Sequence, residues 1–145
     1  MGLKGAANWF FVQAREELTH GQRFYNYMNR LGEHVVMTSI DQPPGEYRSL
    51  LHMFEETLRH EQRVTGMIND LATLANKEND HGTQVLLQWF VNEQIEEEEN
   101  AKDIMTKLKM AGKDSSALLM IDNELATRAF VMPPDLGGPA DQAGA

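Results

Sequence analysis

The sequence predicts an all-α fold, a helical bundle of three long helices, a long crossover connection and a short C-terminal helix. Inward-facing residues recur at a spacing of three and four through three long segments, which is typical of bundle helices. The connections between these segments differ greatly in length. Leu, Met, Ala, Glu and Gln dominate the segments, and all of them favour helix. We expect one domain over residues 1–130 and a mobile tail, rich in Pro, Gly and Ala, over 131–145.

Composition and charge exclude several classes of protein. The formal net charge is −9, from 22 acidic and 13 basic residues, which disfavours nucleic acid as a partner and favours cations. The absence of Cys excludes disulfides and thiolate metal sites. No apolar stretch is long enough to span a membrane, and the N-terminus carries no secretory signal. We therefore expect a cytoplasmic protein.

The periodic residues define each predicted helix. The first runs over 3–31, with inward residues Leu3, Ala6, Phe10, Gln13, Glu17, His20, Phe24, Tyr27 and Leu31. The second runs over 47–76, with Tyr47, Leu51, Phe54, Leu58, Glu61, Thr65, Ile68, Ala72 and Ala75. The third runs over 81–111, with Thr83, Leu87, Phe90, Gln94, Glu97, Ala101, Ile104 and Leu108. A short helix over 115–130 presents Leu118, Ile121 and Leu125.

Residues at the predicted helix ends support these boundaries. Gly32 and Gly112 stand where C-terminal caps are expected, and Asp80 is suited to cap the start of the third helix. The 15-residue connection 32–46 contains Pro43 and Pro44, which exclude helix. Extended, it reaches roughly 50 Å, whereas the first helix is about 43 Å long. The second helix is therefore predicted to run parallel to the first, and the short connection before residue 81 predicts an antiparallel hairpin.

Polar residues interrupt each apolar stripe near its middle. Glu17 lies 14 residues from the start of its predicted helix, and Glu61 lies 14 residues from the start of the next. Glu97 lies 14 residues from the end of the helix that runs the opposite way. This topology predicts three inward carboxylates at one height. His20 shares the face of Glu17 because residues at i and i+3 are neighbours on a helix.

Buried carboxylates need compensation, since like charges repel and desolvated charge is costly. The remedies are protonation with mutual hydrogen bonds or a multivalent cation. A carboxylate and imidazole ligand set suits iron or manganese, and also zinc. The run 96–99 would by default be a solvated surface, but Glu97 is in phase with its stripe. ExxH alone is weak, because Glu78 and His81 match it as well.

Four motifs carry a resemblance to a known family. AREELTH, QRFYNYMNRLG, FEETLRHEQRVTGMINDL and LQWFVNEQIEEE occur in the order and spacing of the bacterial-type non-haem ferritins, across residues 2–130. Rubrerythrin-like and bacterioferritin-like proteins are similar in fold but usually carry a second ExxH on the last long helix. Here Asn100 stands three residues after Glu97, which is the ferritin arrangement.

The resemblance implies a ferroxidase that oxidises Fe(II) with O2 or peroxide, and a homo-oligomeric shell of 24 subunits that stores ferric mineral. It implies that Glu17 bridges two irons, that His20 serves one, and that Glu61 and Glu97 serve the other. Gln94 would orient oxygen or water. The family's third, inner iron site maps onto Glu16, Glu93, Glu96 and Glu97. The short last helix would line a fourfold channel.

The sequence departs from the family at its start. Family members begin with a further long helix that supplies another glutamate, and this sequence starts at what resembles their second helix. A mis-assigned start, a truncated paralogue or a helix from another chain would each explain the difference. The sequence therefore also allows a non-enzymatic iron-binding, scaffold or regulatory subunit. A di-iron peroxidase or oxygenase is disfavoured, because no electron-donor domain or organic-substrate pocket is apparent.

Overall fold

The computed structural model describes residues 2–138, and every regular element in that range is helical. Four α-helices follow one another along the chain: α1 (Lys4–Arg30), α2 (Leu50–Lys77), α3 (His81–Ala111) and α4 (Ser115–Leu125). A 3-10 turn (Pro134–Leu136) lies within the predicted tail, of which residues 139–145 fall outside the described range. The chain divides into two compact units. One comprises Met1–Pro43 with Ser116–Ala145, and the other comprises Pro44–Ser115.

The second unit is the predicted helical hairpin. Gln84 donates to the carbonyl of Ala75 beside the turn, and Gln94 contacts Glu61 further from it, so α2 and α3 run antiparallel. Only three residues separate α2 from α3, and the last of them, Asp80, caps the start of α3. Its carboxylate accepts from the amide and the hydroxyl of Thr83, at 3.0 and 2.6 Å. These hydrogen bonds lower the pKa of Asp80. The predicted cap is confirmed.

The first unit contains α1, with α4 packed across its N-terminal turn. The carboxylate of Asp122 accepts from the backbone amide of Ala6 at 2.8 Å, so α4 satisfies an amide that the helix itself cannot pair. Gly5 permits this approach: a Cβ there would lie 1.6 Å from the carbonyl oxygen of Asp122. At the other end of α1, Gly32 has φ of 79° and the amide of Glu33 bonds the carbonyl of Met28 at 3.0 Å, as in a Schellman motif.

Two predicted boundaries were wrong. The second long helix begins at Leu50 instead of residue 47, because the side chain of Ser49 caps it by accepting from the amide of His52. The short helix ends at Leu125 instead of residue 130. There the Asn8 side chain donates to the carbonyls of Leu125, Ala126 and Arg128, which draws the backbone away from a helical path.

The buried faces agree with the predicted stripes in α3 and differ in α1. The residues of α3 that are buried are Leu87, Phe90, Gln94, Glu97, Ala101, Ile104 and Leu108, all of them predicted. In α1 the buried aromatic residue is Trp9 instead of Phe10, and Val12 is buried beside Gln13. In the short helix Asp122 is buried although it stands outside the predicted stripe. Across residues 2–138, no helix has the length and hydropathy needed to cross a bilayer.

Candidate metal centre

The α2–α3 hairpin contains two buried carboxylates. Glu61 on α2 and Glu97 on α3 are 4% and 5% exposed, values otherwise typical of core residues such as Phe90. Removing an ionised carboxylate from water is costly unless hydrogen bonds or a cation compensate. The neighbouring buried residues above and below them on each helix are mostly apolar, so these two positions stand out from their stripes.

Gln94 provides part of the compensation at Glu61. Its amide Nε2 lies 3.1 Å from the backbone carbonyl oxygen of Glu61 and 3.4 Å from Oε2 of the same residue. Gln94 is itself 5% exposed, and it precedes Glu97 by three residues, on the same face of α3. A buried amide donor therefore accompanies the two carboxylates and orients one of them.

Thr65 on α2 links Gln94 to Glu98 on α3. Its hydroxyl lies 3.4 Å from Nε2 of Gln94 and donates to Oε1 of Glu98 at 2.8 Å. Lys102 binds the other oxygen of Glu98 at 2.8 Å. Lys102 and Thr65 together lower the pKa of Glu98, in that order of effect. Glu98 therefore stays ionised and anchors the polar network on the hairpin.

On α1, Glu17 accepts hydrogen bonds on both oxygens. Gln13 donates from Nε2 to Oε1 at 3.0 Å, and Nδ1 of His20 lies 3.2 Å from Oε2. A neutral imidazole that donates from Nδ1 leaves the lone pair of Nε2 to bind a cation. The Glu17 side chain is 47% exposed and that of His20 is 12% exposed. Each carboxylate oxygen has a second lone pair, so Glu17 also retains the capacity to bind metal.

Arg128, which follows α4, contacts Gln13 and Glu16 on α1. Its guanidinium donates to Oε1 of Gln13 at 2.8 Å and forms an ion pair with the carboxylate of Glu16. It also lies over the ring of Trp9, 4.4 Å from the centroid. Glu16, which the resemblance implies for the third iron site, is thus half-buried and already engaged by an arginine.

The other three residues implied for the third site, Glu93, Glu96 and Glu97, lie on α3. Glu93 is half-buried and Glu96 is exposed. Because α3 turns about 100° per residue, Glu96 cannot share the inward face of Glu97. The structure therefore brings Glu61 and Gln94 together on one hairpin, and Gln13, Glu17 and His20 together on one helix. The roles of all these residues at an iron site stay predictions.

The carboxylates and amide oxygen of the hairpin, and the carboxylate and imidazole of α1, are hard and borderline donors. Such a set suits divalent iron, manganese or zinc and disfavours soft metals, since the chain has no thiolate. His20 and Glu17 at i and i+3 on a regular helix repeat the arrangement of helical di-iron carboxylate proteins. A redox-active ion held in this way can exchange electrons with dissolved oxidants.

Comparison with known proteins agrees with this chemistry. Residues 1–111 match the Ferritin-like domain family. The chain belongs to the ferritin family. It is 42% identical over 127 residues to a bacterial non-heme ferritin of Staphylococcus saprophyticus, covering 88% of this chain and 76% of that protein. A bacterial non-heme ferritin of Escherichia coli is 43% identical over 125 residues, covering 86% of this chain and 76% of that one.

Solved ferritin structures have the same fold. An Archaeoglobus fulgidus ferritin engineered into a closed form superposes with a TM-score of 0.88 at 42% identity, covering 90% of this chain and 79% of that one. The open-pore ferritin of the same archaeon gives a TM-score of 0.87 at 42% identity, covering 88% and 79%. The predicted family and the ferritin-like helical fold are therefore confirmed.

Two polar residues, Arg128 and Thr65, make contacts that the sequence analysis did not predict. Arg128 lies beyond the end of α4, and its partners on α1 are 112 and 115 positions away in the chain. Thr65 belongs to the predicted inward stripe of α2, which assigns it no polar contact. Its position opposite Glu98 could have been inferred from the antiparallel register of the hairpin, whereas nothing local indicates the contacts of Arg128.

Proposed function

We propose that this chain is an iron-storage subunit that oxidises Fe(II) to Fe(III) and holds the ferric product in an oligomeric shell. Membership of the ferritin family supports the general function, and the relatives compared above are non-heme ferritins. The ligands proposed for iron are Glu17, His20, Glu61 and Glu97, and Gln94, which contacts Glu61, is proposed to assist them. Glu16, Glu93, Glu96 and Glu97 are proposed for a third, inner iron site.

The buried pair on the hairpin is the observation that supports this proposal most strongly. Glu61 and Glu97 are both almost fully buried, and Gln94, which contacts Glu61, is uncharged. A neutral amide orients a carboxylate without neutralising its charge, whereas a divalent cation neutralises it directly. The cost of burying two acidic groups in a helical core is explained if they bind a cation.

The arrangement on α1 supports the same conclusion independently. Hydrogen bonds from Gln13 and His20 orient the Glu17 carboxylate, so little rotamer freedom is lost when metal binds. The Nδ1 contact also directs Nε2 of His20 away from its own helix partner. These features are those expected of ligands held ready before iron arrives.

The proposed reaction is a balanced electron transfer in which iron is the substrate. Two Fe(II) ions each lose one electron, and O2 takes both electrons and two protons to become hydrogen peroxide. Peroxide can serve as the oxidant in turn. Carboxylates favour the product, because Fe(III) is a harder cation than Fe(II) and binds anionic oxygen more tightly.

A homo-oligomeric shell is proposed because α1 presents an apolar stripe to solvent. Phe11, Leu18 and Tyr25, at seven-residue spacing, are 65%, 74% and 49% exposed. Ala14 and Gly21 between them are exposed as well. A continuous apolar stripe of this kind marks a protein contact. The family resemblance specifies 24 subunits, and the proposed location is the cytoplasm.

Iron oxidation tests the proposal. Fe(II) added in air to the purified protein should give a rise in ferric absorbance faster than in buffer, and Glu17→Ala and Glu97→Ala should each abolish most of it. Light scattering after size exclusion should show about 24 subunits. Glu99→Ala, at an exposed position on α3, is the matched control and should oxidise iron normally. Equal rates in all three variants would overturn the proposal, and binding without oxidation would leave a non-enzymatic iron-binding subunit.

A further inference from the structure

The side chains of Arg128, Gln13, Glu17 and His20 form a continuous polar chain along α1. Arg128 donates to Oε1 of Gln13 at 2.8 Å, and Gln13 donates onward from Nε2 to Oε1 of Glu17 at 3.0 Å. The other oxygen of Glu17 then meets Nδ1 of His20 at 3.2 Å. This series of hydrogen-bonded side chains starts at Arg128, in the segment that follows α4, and ends at the His20 imidazole, which is proposed to bind iron.

The polarity of this chain is fixed at its first member. An arginine carries only donors, so the group of Gln13 that faces Arg128 must be its oxygen. The Nε2 of Gln13 is thereby directed at Glu17. A carboxylate accepts hydrogen bonds and does not donate them when ionised, so the two contacts of Gln13 support each other. The amide has one satisfactory orientation, and Arg128 selects it.

Three contacts hold Arg128 in place. Its guanidinium lies 4.4 Å from the ring centroid of the buried Trp9, and it forms an ion pair with Glu16. Its backbone carbonyl accepts from Nδ2 of Asn8 at 2.9 Å. A cation over an indole face is stabilised by the ring quadrupole. The arginine is therefore anchored by contacts that do not involve Gln13 or Glu17.

We propose that Arg128 is a positioning residue for the iron ligands of α1, acting through the amide of Gln13 to hold the Glu17 carboxylate and, through it, the His20 ring. The proposal rests on the proposed function, because Glu17 and His20 must bind iron for their orientation to matter. Outer contacts of this kind change metal affinity by roughly 10- to 100-fold when removed.

The direction in which Fe(II) affinity changes when Arg128 is replaced distinguishes a positioning role from an effect of its charge alone. Arg128 is a cation close to proposed cation ligands, so its removal should strengthen metal binding if its charge alone were felt. Positioning predicts the opposite, because Gln13 and Glu17 lose their fixed orientation. Arg15 supplies the matched control. Its guanidinium lies 4.1 Å from the ring centroid of Phe130. Arg15 therefore contacts the same segment as Arg128 but is not one of the hydrogen-bonded side chains that lead to His20.

The experiment measures anaerobic Fe(II) binding by titration calorimetry in the wild type, Arg128→Leu, Arg128→Lys and Arg15→Leu. Absorption spectra with Co²⁺ as a probe report ligand geometry. Arg128→Leu should bind Fe(II) about tenfold more weakly and change the Co²⁺ spectrum. Arg128→Lys should recover part of the affinity, because an ammonium still donates to Gln13. Arg15→Leu should bind within about twofold of the wild type, or slightly more tightly, by the charge argument.

Several results would overturn the inference. Unchanged or tighter Fe(II) binding by Arg128→Leu would show that Arg128 does not position the ligands and affects binding, if at all, only through its positive charge. An equal loss in Arg15→Leu would show that docking of the segment matters and the polar chain does not. Should Arg128→Leu fail to fold by circular dichroism, Arg128→Met keeps the aliphatic stem and carries the same expectation. Absence of Fe(II) binding in the wild type would instead remove the proposed function, and with it the basis of the inference.

Discussion

The Nε2 of Gln13 lies 3.0 Å from Oε1 of Glu17, one helical turn away, and the oxygen of the same amide accepts from Arg128. A similar relationship recurs on the hairpin, where Nε2 of Gln94 lies 3.4 Å from Oε2 of Glu61. In both units, therefore, a buried glutamine amide holds a carboxylate that we propose as an iron ligand. Each glutamine orients an anion without neutralising it, which preserves the charge that attracts the metal.

Replacing Gln13 with Leu should weaken Fe(II) binding while leaving the fold intact. The side chain is buried, and leucine fills much of the same volume, but the hydrogen bond to Glu17 is lost. We expect an affinity about tenfold lower by anaerobic titration. Gln22→Leu, at an exposed position on α1, is the matched control and should bind normally. Equal affinity in the two variants would contradict an orienting role for Gln13.

Replacing Gln94 with Leu should destabilise the metal-free protein by roughly 1–3 kcal/mol, because the buried Glu61 carboxylate loses a donor. A bound divalent cation would supply the missing compensation, so the loss should shrink in saturating Co²⁺. Urea unfolding with and without the metal measures both values. Gln88→Leu, exposed on the same helix, should change neither by more than about 0.5 kcal/mol. A loss that is equal with and without metal would argue against a cation at Glu61.

Gly5→Ala should destabilise the packing of α4 on α1. The added Cβ would lie 1.6 Å from the carbonyl oxygen of Asp122, a distance at which one helix must move. We expect a cost of about 3 kcal/mol in the free energy of unfolding, with a change in the fluorescence of the nearby Trp9. Gly66→Ala, on α2, is the control: nothing lies within 4 Å of its Cβ, so it should stabilise α2 by about 0.5–1 kcal/mol. Similar effects of both substitutions would contradict the close approach.

The Glu98 network should contribute stability that depends on pH. Because the pKa of Glu98 is lowered by Lys102 and Thr65, its contribution is present above its ordinary pKa and is lost as the pH falls through the lowered value. Glu98→Gln should therefore cost about 1 kcal/mol at pH 7. The difference in the free energy of unfolding between Glu98→Gln and wild type should decrease as the pH falls, and should be smallest below the lowered pKa of Glu98. Urea unfolding across this range tests it, and a difference independent of pH would exclude an ionised Glu98 as the cause.

Much of the fold follows from local properties of the sequence. The three-four spacing predicted every buried residue of α3, and Asp80 and Gly32 marked real helix ends. The position of Glu97 on that face, inside a run of four glutamates, was predictable because α-helical periodicity is strict over a long regular segment. The sequence motifs of α1, α2 and α3 were specific enough to indicate the ferritin family by themselves.

The contacts of the segment after α4 were decided by tertiary structure alone. Arg128 and Gln13 are 115 positions apart, and periodicity carries no information about such a pairing. The early end of α4 depends on Asn8, which binds carbonyls that a longer helix would have kept for itself. The buried face of α1 also shifted toward Trp9 and Val12, because neighbouring apolar positions satisfy the spacing equally well. Local sequence thus determined which residues form helices and that Glu61 and Glu97 face inward, whereas packing between distant segments buried Asp122 and left Glu17 partly exposed.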